Sequence, residues 1–205
     1  MMEGDIQFRL RNAPLLQTIP RVSIAIAGAG GIGSHVCVLL TRLGFVNLLV
    51  VDFDEVEQTN LNRQHYTTWD VKKAKVEALK EHIEAINPLC NIRVINTKVT
   101  PHNQHELFKD YEIVCEAFDE PREKSMLFHE RIKEDKFIIG CSGMAGSKLS
   151  SMRIKRLGEK AFVCGDFGEQ SIESDGIMAH KVVHCATLMV ECVLSIYESN
   201  LKDKQ

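Results

Sequence analysis

The sequence predicts an α/β fold, namely a mostly parallel, Rossmann-like sheet with helices on both faces and an antiparallel extension near the C-terminus. Three observations lead to this prediction. A buried strand pattern runs into a glycine-rich turn and a helix, strand and helix patterns then alternate as far as Cys141, and a hairpin pattern follows. A chain of 205 residues is long enough for one such domain, so we expect residues 1–205 to form a single unit.

The first strand and helix carry the strongest pattern. Residues 22–27 form a continuous apolar run, which is typical of a strand buried on both faces. The turn Gly28-Ala29-Gly30-Gly31-Ile32-Gly33 follows directly. Apolar side chains then recur at three- and four-residue steps, as on an amphipathic helix: Ile32, Val36, Leu39, Leu40 and Leu43. A second apolar run, residues 48–51, ends at Asp52.

The remaining elements continue the alternation. In order, the patterns predict a helix over 71–86, a strand over 92–95, a short helix within 100–109, a strand over 113–117, a helix over 121–134 and a strand over 137–141. Residues 151–157 and 160–164 then predict an antiparallel hairpin through Gly158. We expect a mobile loop over 165–176 and a final helix over 177–197.

Composition and charge exclude several classes of protein. Hydrophobic residues at 44% and charged residues at 26% are ordinary for a soluble globular chain. The formal net charge of −3 gives no electrostatic reason to expect a nucleic acid or an anionic membrane as partner. No apolar run approaches the ~20 residues of a membrane span, and the N-terminus lacks the apolar core of a signal peptide. We therefore expect a cytoplasmic protein.

The seven cysteines form neither a disulfide framework nor a Cys-x-x-Cys zinc pair. Cys37, Cys115, Cys185 and Cys192 lie within helix or strand patterns, and we expect them to be buried as small hydrophobic side chains. His180 and His184 are four residues apart on the last helix and could share a metal ion, but the sequence offers them no further ligand.

The glycine-rich turn predicts a nucleotide site. Its glycines (Gly28, Gly30, Gly31 and Gly33) let the backbone turn tightly and approach a phosphate at the free N–H groups of a helix start. Asp52 follows Gly31 by 21 residues, where a carboxylate can accept hydrogen bonds from ribose hydroxyls. The alternative is a turn that only packs a helix closely against a strand.

Polar residues after the second strand favour a triphosphate over a dinucleotide. Asp54, Asn60, Asn62 and Arg63 form a loop richer in polar groups than ribose alone requires; Lys75 follows, and Asp119 stands after the fourth strand. Two cations, a carboxylate suited to Mg²⁺ and a glycine turn are the parts of a triphosphate site. Each residue also has an ordinary role: Lys75 on a solvated helix face, Asp119 as a helix cap, and Arg63 in a pair with an acidic neighbour.

Several motifs together resemble one family, the ThiF/MoeB-like adenylyltransferases related to ubiquitin-activating enzymes. They are Gly28-Ala29-Gly30-Gly31-Ile32-Gly33-Ser34, Asp52-Phe53-Asp54, Asn60-Leu61-Asn62-Arg63-Gln64, Lys75-Val76-Glu77 and Asp119. The segments Cys115-Glu116-Ala117-Phe118-Asp119, Ser142-Gly143-Met144-Ala145-Gly146 and Cys164-Gly165-Asp166 are similar to the short, zinc-free ThiF branch.

The resemblance implies an enzyme that uses Mg-ATP to adenylate the C-terminal glycine of a ubiquitin-like sulfur-carrier protein of the ThiS type, releasing pyrophosphate. This chemistry belongs to sulfur transfer such as thiamin biosynthesis. By motif position, Gly31 would approach the phosphates, Asp52 would hold the ribose, and Asp119 would bind magnesium. Asn60, Arg63 and Lys75 would contact the phosphates. The carrier would end in Gly-Gly, and the enzyme would be a homodimer in which Arg9 or Arg11 reaches the partner's site.

Three departures from longer relatives matter. Their zinc-binding Cys-x-x-Cys pairs are absent, so we expect no zinc. No cysteine clearly matches their thiol nucleophile; Cys164 is the best candidate and Cys141 the next. Met178-Ala179-His180-Lys181-Val182 stands where the short branch tends to have Met-Ala-Pro-Arg-Val.

Two other functional classes remain open. An NAD-dependent oxidoreductase would explain the glycine turn, but not Arg63 and Lys75, and little chain remains for a substrate domain. A non-catalytic carrier-binding subunit is disfavoured because the ATP motif is intact.

Overall fold

The computed structural model describes residues 22–142, 144–147, 152–168 and 175–202. The strands, in chain order, are β1 (Ser23–Ala27), β2 (Asn47–Asp52), β3 (Asn91–Asn96), β4 (Ile113–Glu116), β5 (Phe137–Cys141), β6 (Arg153–Arg156) and β7 (Ala161–Gly165). The α-helices are α1 (Gly31–Leu43), α2 (Lys75–Ile86), α3 (Gln104–Phe108), α4 (Pro121–Lys133) and α5 (Ala179–Lys202). Two 3₁₀ turns lie between β2 and α2, at Gln58–Asn60 and Thr68–Asp70.

The strands form one sheet in the order β3-β2-β1-β4-β5-β7-β6. All neighbours are parallel except β6, which pairs with β7 in antiparallel register. The chain passes from β1 outward to β2 and β3 on one side and returns to β4 on the other. This reversal leaves a crevice at the carboxyl ends of β1 and β4, where open parallel sheets bind their ligands. The predicted mostly parallel α/β sheet with an antiparallel extension is confirmed.

Helices cover both faces of the sheet because successive strand side chains point to opposite sides. Ile24 and Ile26 of β1 face a core shared with α1, α2 and α5, whereas Ala25 and Ala27 face a second core under α3 and α4. Burial on both sides explains why the central strands read as continuous apolar runs. The cysteines expected to be buried (Cys37, Cys115, Cys185 and Cys192) are all in this interior.

The second helix begins later than the sequence predicts. The pattern predicted a start at residue 71, but Thr68–Asp70 is a 3₁₀ turn whose Asp70 carboxylate accepts the N–H of Thr67 (2.7 Å). Lys72 then adopts a positive φ of 73°, which no helix continues through. Helix α2 therefore starts at Lys75, which places that lysine in the first turn, beside the carboxyl end of the sheet.

Some expectations fall outside the described residues. These are the N-terminal arm with Arg9 and Arg11, Ser151 at the start of the hairpin, and residues 169–174 of the expected mobile loop. Within α5, Ala179–Ser199 is long and apolar enough by composition to cross a membrane. Half of its apolar window is buried in the protein, and core helices pass the same test.

Candidate functional site

The glycine turn sits at the crevice and is shaped by two close approaches of the backbone. Gly28 has a φ of 99°, and a Cβ there would lie 2.8 Å from the carbonyl oxygen of Ala117. A Cβ at Gly33 would lie only 1.9 Å from the carbonyl oxygen of Gly28, so α1 can pack here only with glycine. Among the described residues, no side chain caps the start of α1 at Gly30. This helix end therefore offers backbone N–H groups and a positive dipole end to an anion.

Asp52 is bound to the turn rather than free in the crevice. Its Oδ2 accepts the N–H of Ala29 (2.6 Å) and its Oδ1 accepts the N–H of Asp54 (2.7 Å). Burial raises the pKa of Asp52, while these two hydrogen bonds and Lys75 oppose that rise. Each oxygen keeps a second lone pair, so the carboxylate can still accept a ribose hydroxyl.

Lys75 projects into the same place from α2. Its side chain is 8% exposed, and its Nζ lies 2.7 Å from Oδ2 of Asp54, which is 46% exposed. The backbone N–H of Lys75 also donates to the carbonyl of Asp54 (2.9 Å). The lysine is therefore not part of a solvated helix face. A buried ammonium with one half-exposed counter-ion is suited to a second, stronger anionic partner.

Arg63 lies over the start of α1, with its Cγ 3.8 Å from the Cβ position of Gly31. Its Nη1 donates to Oδ1 of Asn62 (2.8 Å) and to the carbonyl of Thr59 (3.1 Å). Asn60 is buried, and its Oδ1 accepts the N–H of Glu57 (3.0 Å), which holds the 3₁₀ turn closed. Asn60 and Asn62 thus shape and orient the loop that carries the guanidinium.

Two residues of this loop are functional candidates that the sequence reasoning did not select. The buried Tyr66 hydroxyl lies 2.7 Å from the carbonyl of Ala29 and 3.2 Å from that of Lys75, so it joins the glycine turn to α2. Gln64 is 8% exposed, and its Oε1 is buried without a hydrogen-bond partner among the described residues. Its Nε2 lies 3.9 Å from the Cβ position of Gly30, at the start of α1. Gln64 ends the motif at residues 60–64, whereas Tyr66 lies two residues beyond it and had no signal except its place near Arg63.

Asp119 lies exposed, three residues after the end of β4. No hydrogen bond or ion pair within the described part of the chain engages its carboxylate, so the alternative role as a cap of α4 is not seen. The preceding Ala117 donates its N–H to Ala27 and lies against Gly28, which brings this loop to the crevice. A free carboxylate beside a phosphate site fits Mg²⁺, which binds through one or two carboxylates and substrate oxygens.

The two candidate thiols are buried, which argues against the choice of Cys164 as a nucleophile. Cys164 has no exposed surface, and its Sγ lies 3.9 Å from that of Cys192. The hydrogen bond with Cys192 and burial raise the pKa of Cys164 far above its usual value. Cys141 is 5% exposed, and burial raises the pKa of its thiol to about 11. The sequence placed Cys164 beside an open loop, but its side chain points into the core under α5.

The structure adds no support for a metal ion shared by His180 and His184. His180 and His184 are exposed on α5, and no third ligand joins them in the described residues. His105, Glu130 and Glu134 do bring three ligand atoms within 4.8 Å of one another. However, the buried Arg131 donates to Oε2 of Glu134 (3.0 Å), so this group already contains its counter-cation and is best described as an ion-pair network.

Comparison with known proteins identifies relatives. A family model described as the ThiF family matches residues 3–199. A tRNA threonylcarbamoyladenosine dehydratase of Haemophilus influenzae is 31% identical over 149 residues, covering 72% of this chain and 57% of the relative. A sulfur carrier protein adenylyltransferase of Thermus thermophilus is 35% identical over 104 residues, covering 50% of this chain and 38% of the relative. The chain therefore spans 57% of the length of the first relative and 38% of the length of the second.

Solved structures show the same fold. The E. coli tRNA N6-threonylcarbamoyladenosine dehydratase in complex with ATP superposes with a TM-score of 0.88 at 22% identity, covering 98% of this chain and 95% of that chain. E. coli MccB with ATP gives a TM-score of 0.70 at 20% identity, covering 89% of this chain and 58% of that chain. The resemblance to ThiF/MoeB-type proteins, seen first in the motifs, is confirmed.

Proposed function

Because this chain belongs to the ThiF family, we propose that it is an ATP-dependent adenylyltransferase, which activates a carboxylate as an acyl-adenylate and releases pyrophosphate. The observation that carries the proposal is the convergence at one crevice of the uncapped start of α1 with Arg63 and the buried Lys75. These groups supply positive charge where a triphosphate would bind. Asp52, beside them, is the acceptor for the ribose.

The reaction needs positioning and electrostatics more than proton transfer. A substrate carboxylate is ionised at neutral pH, so one of its oxygens can attack the α-phosphorus as the bond to pyrophosphate breaks, and no general base is required. Arg63, Lys75 and the N–H groups of α1 would stabilise the charge that develops on the phosphate oxygens. Magnesium, held by Asp119, would neutralise phosphate charge. Asp54 would serve as the counter-ion of Lys75 until ATP binds.

The substrate that we favour is the C-terminal glycine of a ubiquitin-like sulfur carrier of the ThiS type, in sulfur transfer such as thiamin biosynthesis. The Asn-Leu-Asn-Arg-Gln motif at 60–64 and the similarity to a sulfur carrier protein adenylyltransferase support it. A homodimer with an arginine supplied by the partner's N-terminal segment would complete the site.

A second candidate substrate is a carboxylate carried by tRNA. The H. influenzae relative, which covers 72% of this chain, is named as a tRNA threonylcarbamoyladenosine dehydratase. Threonine contributes a carboxylate to that nucleoside, and its adenylation would use the same activation step with release of pyrophosphate. Attack on the acyl carbon by an N–H of the same nucleoside would then release AMP, and the net change in the nucleoside would be the loss of water. A net charge of −3 does not favour non-specific binding of RNA, so binding of this substrate would require specific contacts between the protein and the tRNA.

ATP–pyrophosphate exchange tests both candidates. Purified protein with Mg²⁺ is assayed with a ThiS-like carrier ending in Gly-Gly, with the same carrier lacking its last glycine, and with tRNA that does or does not bear threonylcarbamoyladenosine. Exchange that requires the terminal glycine supports the carrier, and exchange that requires the modified tRNA supports the second candidate. Binding of NAD(H) without binding of ATP would refute adenylation.

Arg63→Ala and Asp119→Ala serve as site variants in the same assay. Both side chains lie on loops outside the core, so the variants should fold while exchange is lost. Retained exchange in both variants would contradict the site assignment.

A further inference from the structure

A buried carboxylate at the end of β4 has no part in the mechanism above. Glu116 has no exposed surface, yet it lies only three residues before Asp119. Its Oε1 accepts the N–H of Phe118 (2.7 Å), and its carboxylate also accepts the N–H of Cys141, the last residue of β5. One side chain therefore ties together the loops that leave two neighbouring strands at the edge of the crevice.

The third partner of Glu116 comes from α4. Lys124 places its Nζ 3.0 Å from Oε1 of Glu116 and 3.0 Å from Sγ of Cys141. Helix α4 begins at Pro121, immediately after the loop that carries Asp119. The loop is consequently held at both ends, by the hydrogen bond at Phe118 and by the return of Lys124 to the same carboxylate.

The neighbouring strand makes room for this group. Cys115 of β4 pairs with Ile139 of β5, and Glu116 and Gly140 are the next residues along the two strands. A Cβ at Gly140 would lie 2.8 Å from Oε2 of Glu116 and 2.5 Å from the ring of Phe128. Glycine at 140 therefore leaves space for a carboxylate that an alanine would displace.

A gain in folding stability is a weak explanation for this arrangement. Burying an ion pair removes the solvation of both charges, and the attraction between them seldom exceeds that cost. Orientation is a better reason, since three donors fix the carboxylate and the carboxylate in turn fixes the loop. We propose that Glu116 and Lys124 are positioning residues that hold the Asp119 loop in the geometry needed to bind magnesium with the triphosphate. This proposal rests on the proposed adenylyltransferase function.

The double variant Glu116→Gln/Lys124→Met tests it, because it removes both charges together and leaves neither one buried alone. In the protein without nucleotide, hydrogen–deuterium exchange of the segment 117–120 should rise at least tenfold, while the amides of the turn at 28–33 keep their protection. In the pyrophosphate-exchange assay, the Mg²⁺ concentration for half-maximal rate should rise about tenfold, with a smaller change in the rate at saturating Mg²⁺.

Glu134→Gln is the matched control. It weakens another partly buried ion pair of α4, that of Glu134 with Arg131, but at the opposite edge of the sheet. The control should lower the melting temperature without moving the Mg²⁺ midpoint. A folded double variant with unchanged exchange at 117–120, or with raised exchange but an unchanged Mg²⁺ midpoint, overturns the proposal. If the wild-type protein shows no Mg²⁺-dependent nucleotide binding, the proposed function and the metal role fail together, whereas the amide measurement still decides whether Glu116 holds the loop.

Discussion

The hydroxyl of Tyr66 connects the two halves of the candidate site, and Tyr66→Phe removes that connection while preserving the ring. The hydroxyl contacts the carbonyls of Ala29 and Lys75 at 2.7 and 3.2 Å, inside the protein. Burial raises the pKa of Tyr66 well above its usual value, so it remains a neutral donor. Because the ring stays in place, no large cavity forms, and the loss of a buried hydrogen bond should lower the free energy of unfolding by about 1–2 kcal/mol.

For a chain of this length, that loss corresponds to a fall in melting temperature of roughly 2–8 °C. Ala29 donates to Asp52 and Lys75 pairs with Asp54, so a looser spacing should also raise the Kd for ATP about 3- to 10-fold. Thermal unfolding and calorimetric ATP titration measure the two effects.

Tyr111→Phe is the control, because the Tyr111 hydroxyl has no hydrogen bond to any described residue and lies away from the crevice. It should change neither quantity. Two results would contradict the argument that this hydroxyl sets the distance between the glycine turn and α2. One is a melting temperature of Tyr66→Phe equal to that of the wild type, and the other is a loss of stability with unchanged affinity for ATP.

Three further predictions concern the same edge of the sheet. Gly33→Ala must push α1 away from Gly28, so it should cost about 3 kcal/mol or more of unfolding free energy and abolish ATP binding. Gly30→Ala, whose added Cβ would make only an ordinary contact with Gln64, should melt normally but bind ATP more weakly. Burial raises the pKa of Asp52, so the penalty for its buried charge is absent in acid and grows as the pH rises through the folded-state pKa. As the pH is lowered, Asp52 should therefore become protonated, and ATP affinity should begin to fall, at a pH above the usual aspartate pKa. Calorimetric titration should show that Asp52→Asn removes this pH-dependent change in affinity. Cys164→Ala should keep full adenylation and lose about 1 kcal/mol of unfolding free energy, since the thiol only fills core volume; loss of adenylation at normal stability would restore its role as a nucleophile.

The sequence could predict those parts of the molecule that depend on local pattern. Strand β5 and the start of α4 follow from apolar periodicity and from Pro121, which is favoured at a first helical position. Helix α2 was placed too early because Lys72 and Lys73 continue a helical pattern of lysines, while Asp70 closes a turn that periodicity cannot detect.

The partners of buried polar groups could not be predicted in this way. Glu116 resembles any strand residue in the sequence, and only the tertiary structure shows that its carboxylate lies against Gly140 and Lys124. The burial of Cys164 could not be predicted for the same reason: a position beside a loop does not determine which face of the strand a side chain occupies. Pairing across 20 or more residues is a property of the tertiary structure, and one sequence carries no local trace of it.

The buried lysines of the described residues, Lys75 and Lys181, both lie at the carboxyl edge of the sheet. A cavity of about 590 Å³ lies at the opposite edge, beside the first residues of β1, β2 and β3 (Ser23, Asn47 and Asn91). This volume lies within the range of about 300–1,000 Å³ that is typical of small-molecule sites. The carboxyl edge, however, holds Lys75 and Lys181 at 6% and 3% exposure, with Lys181 bound to Asp166 (2.9 Å) and to the carbonyl of Ala145 (3.0 Å). Charges held in this way cost solvation during folding, and they need little reorganisation when a phosphate arrives. The crevice at the carboxyl edge, rather than the cavity at the opposite edge, therefore holds the positive charge that the proposed adenylation needs.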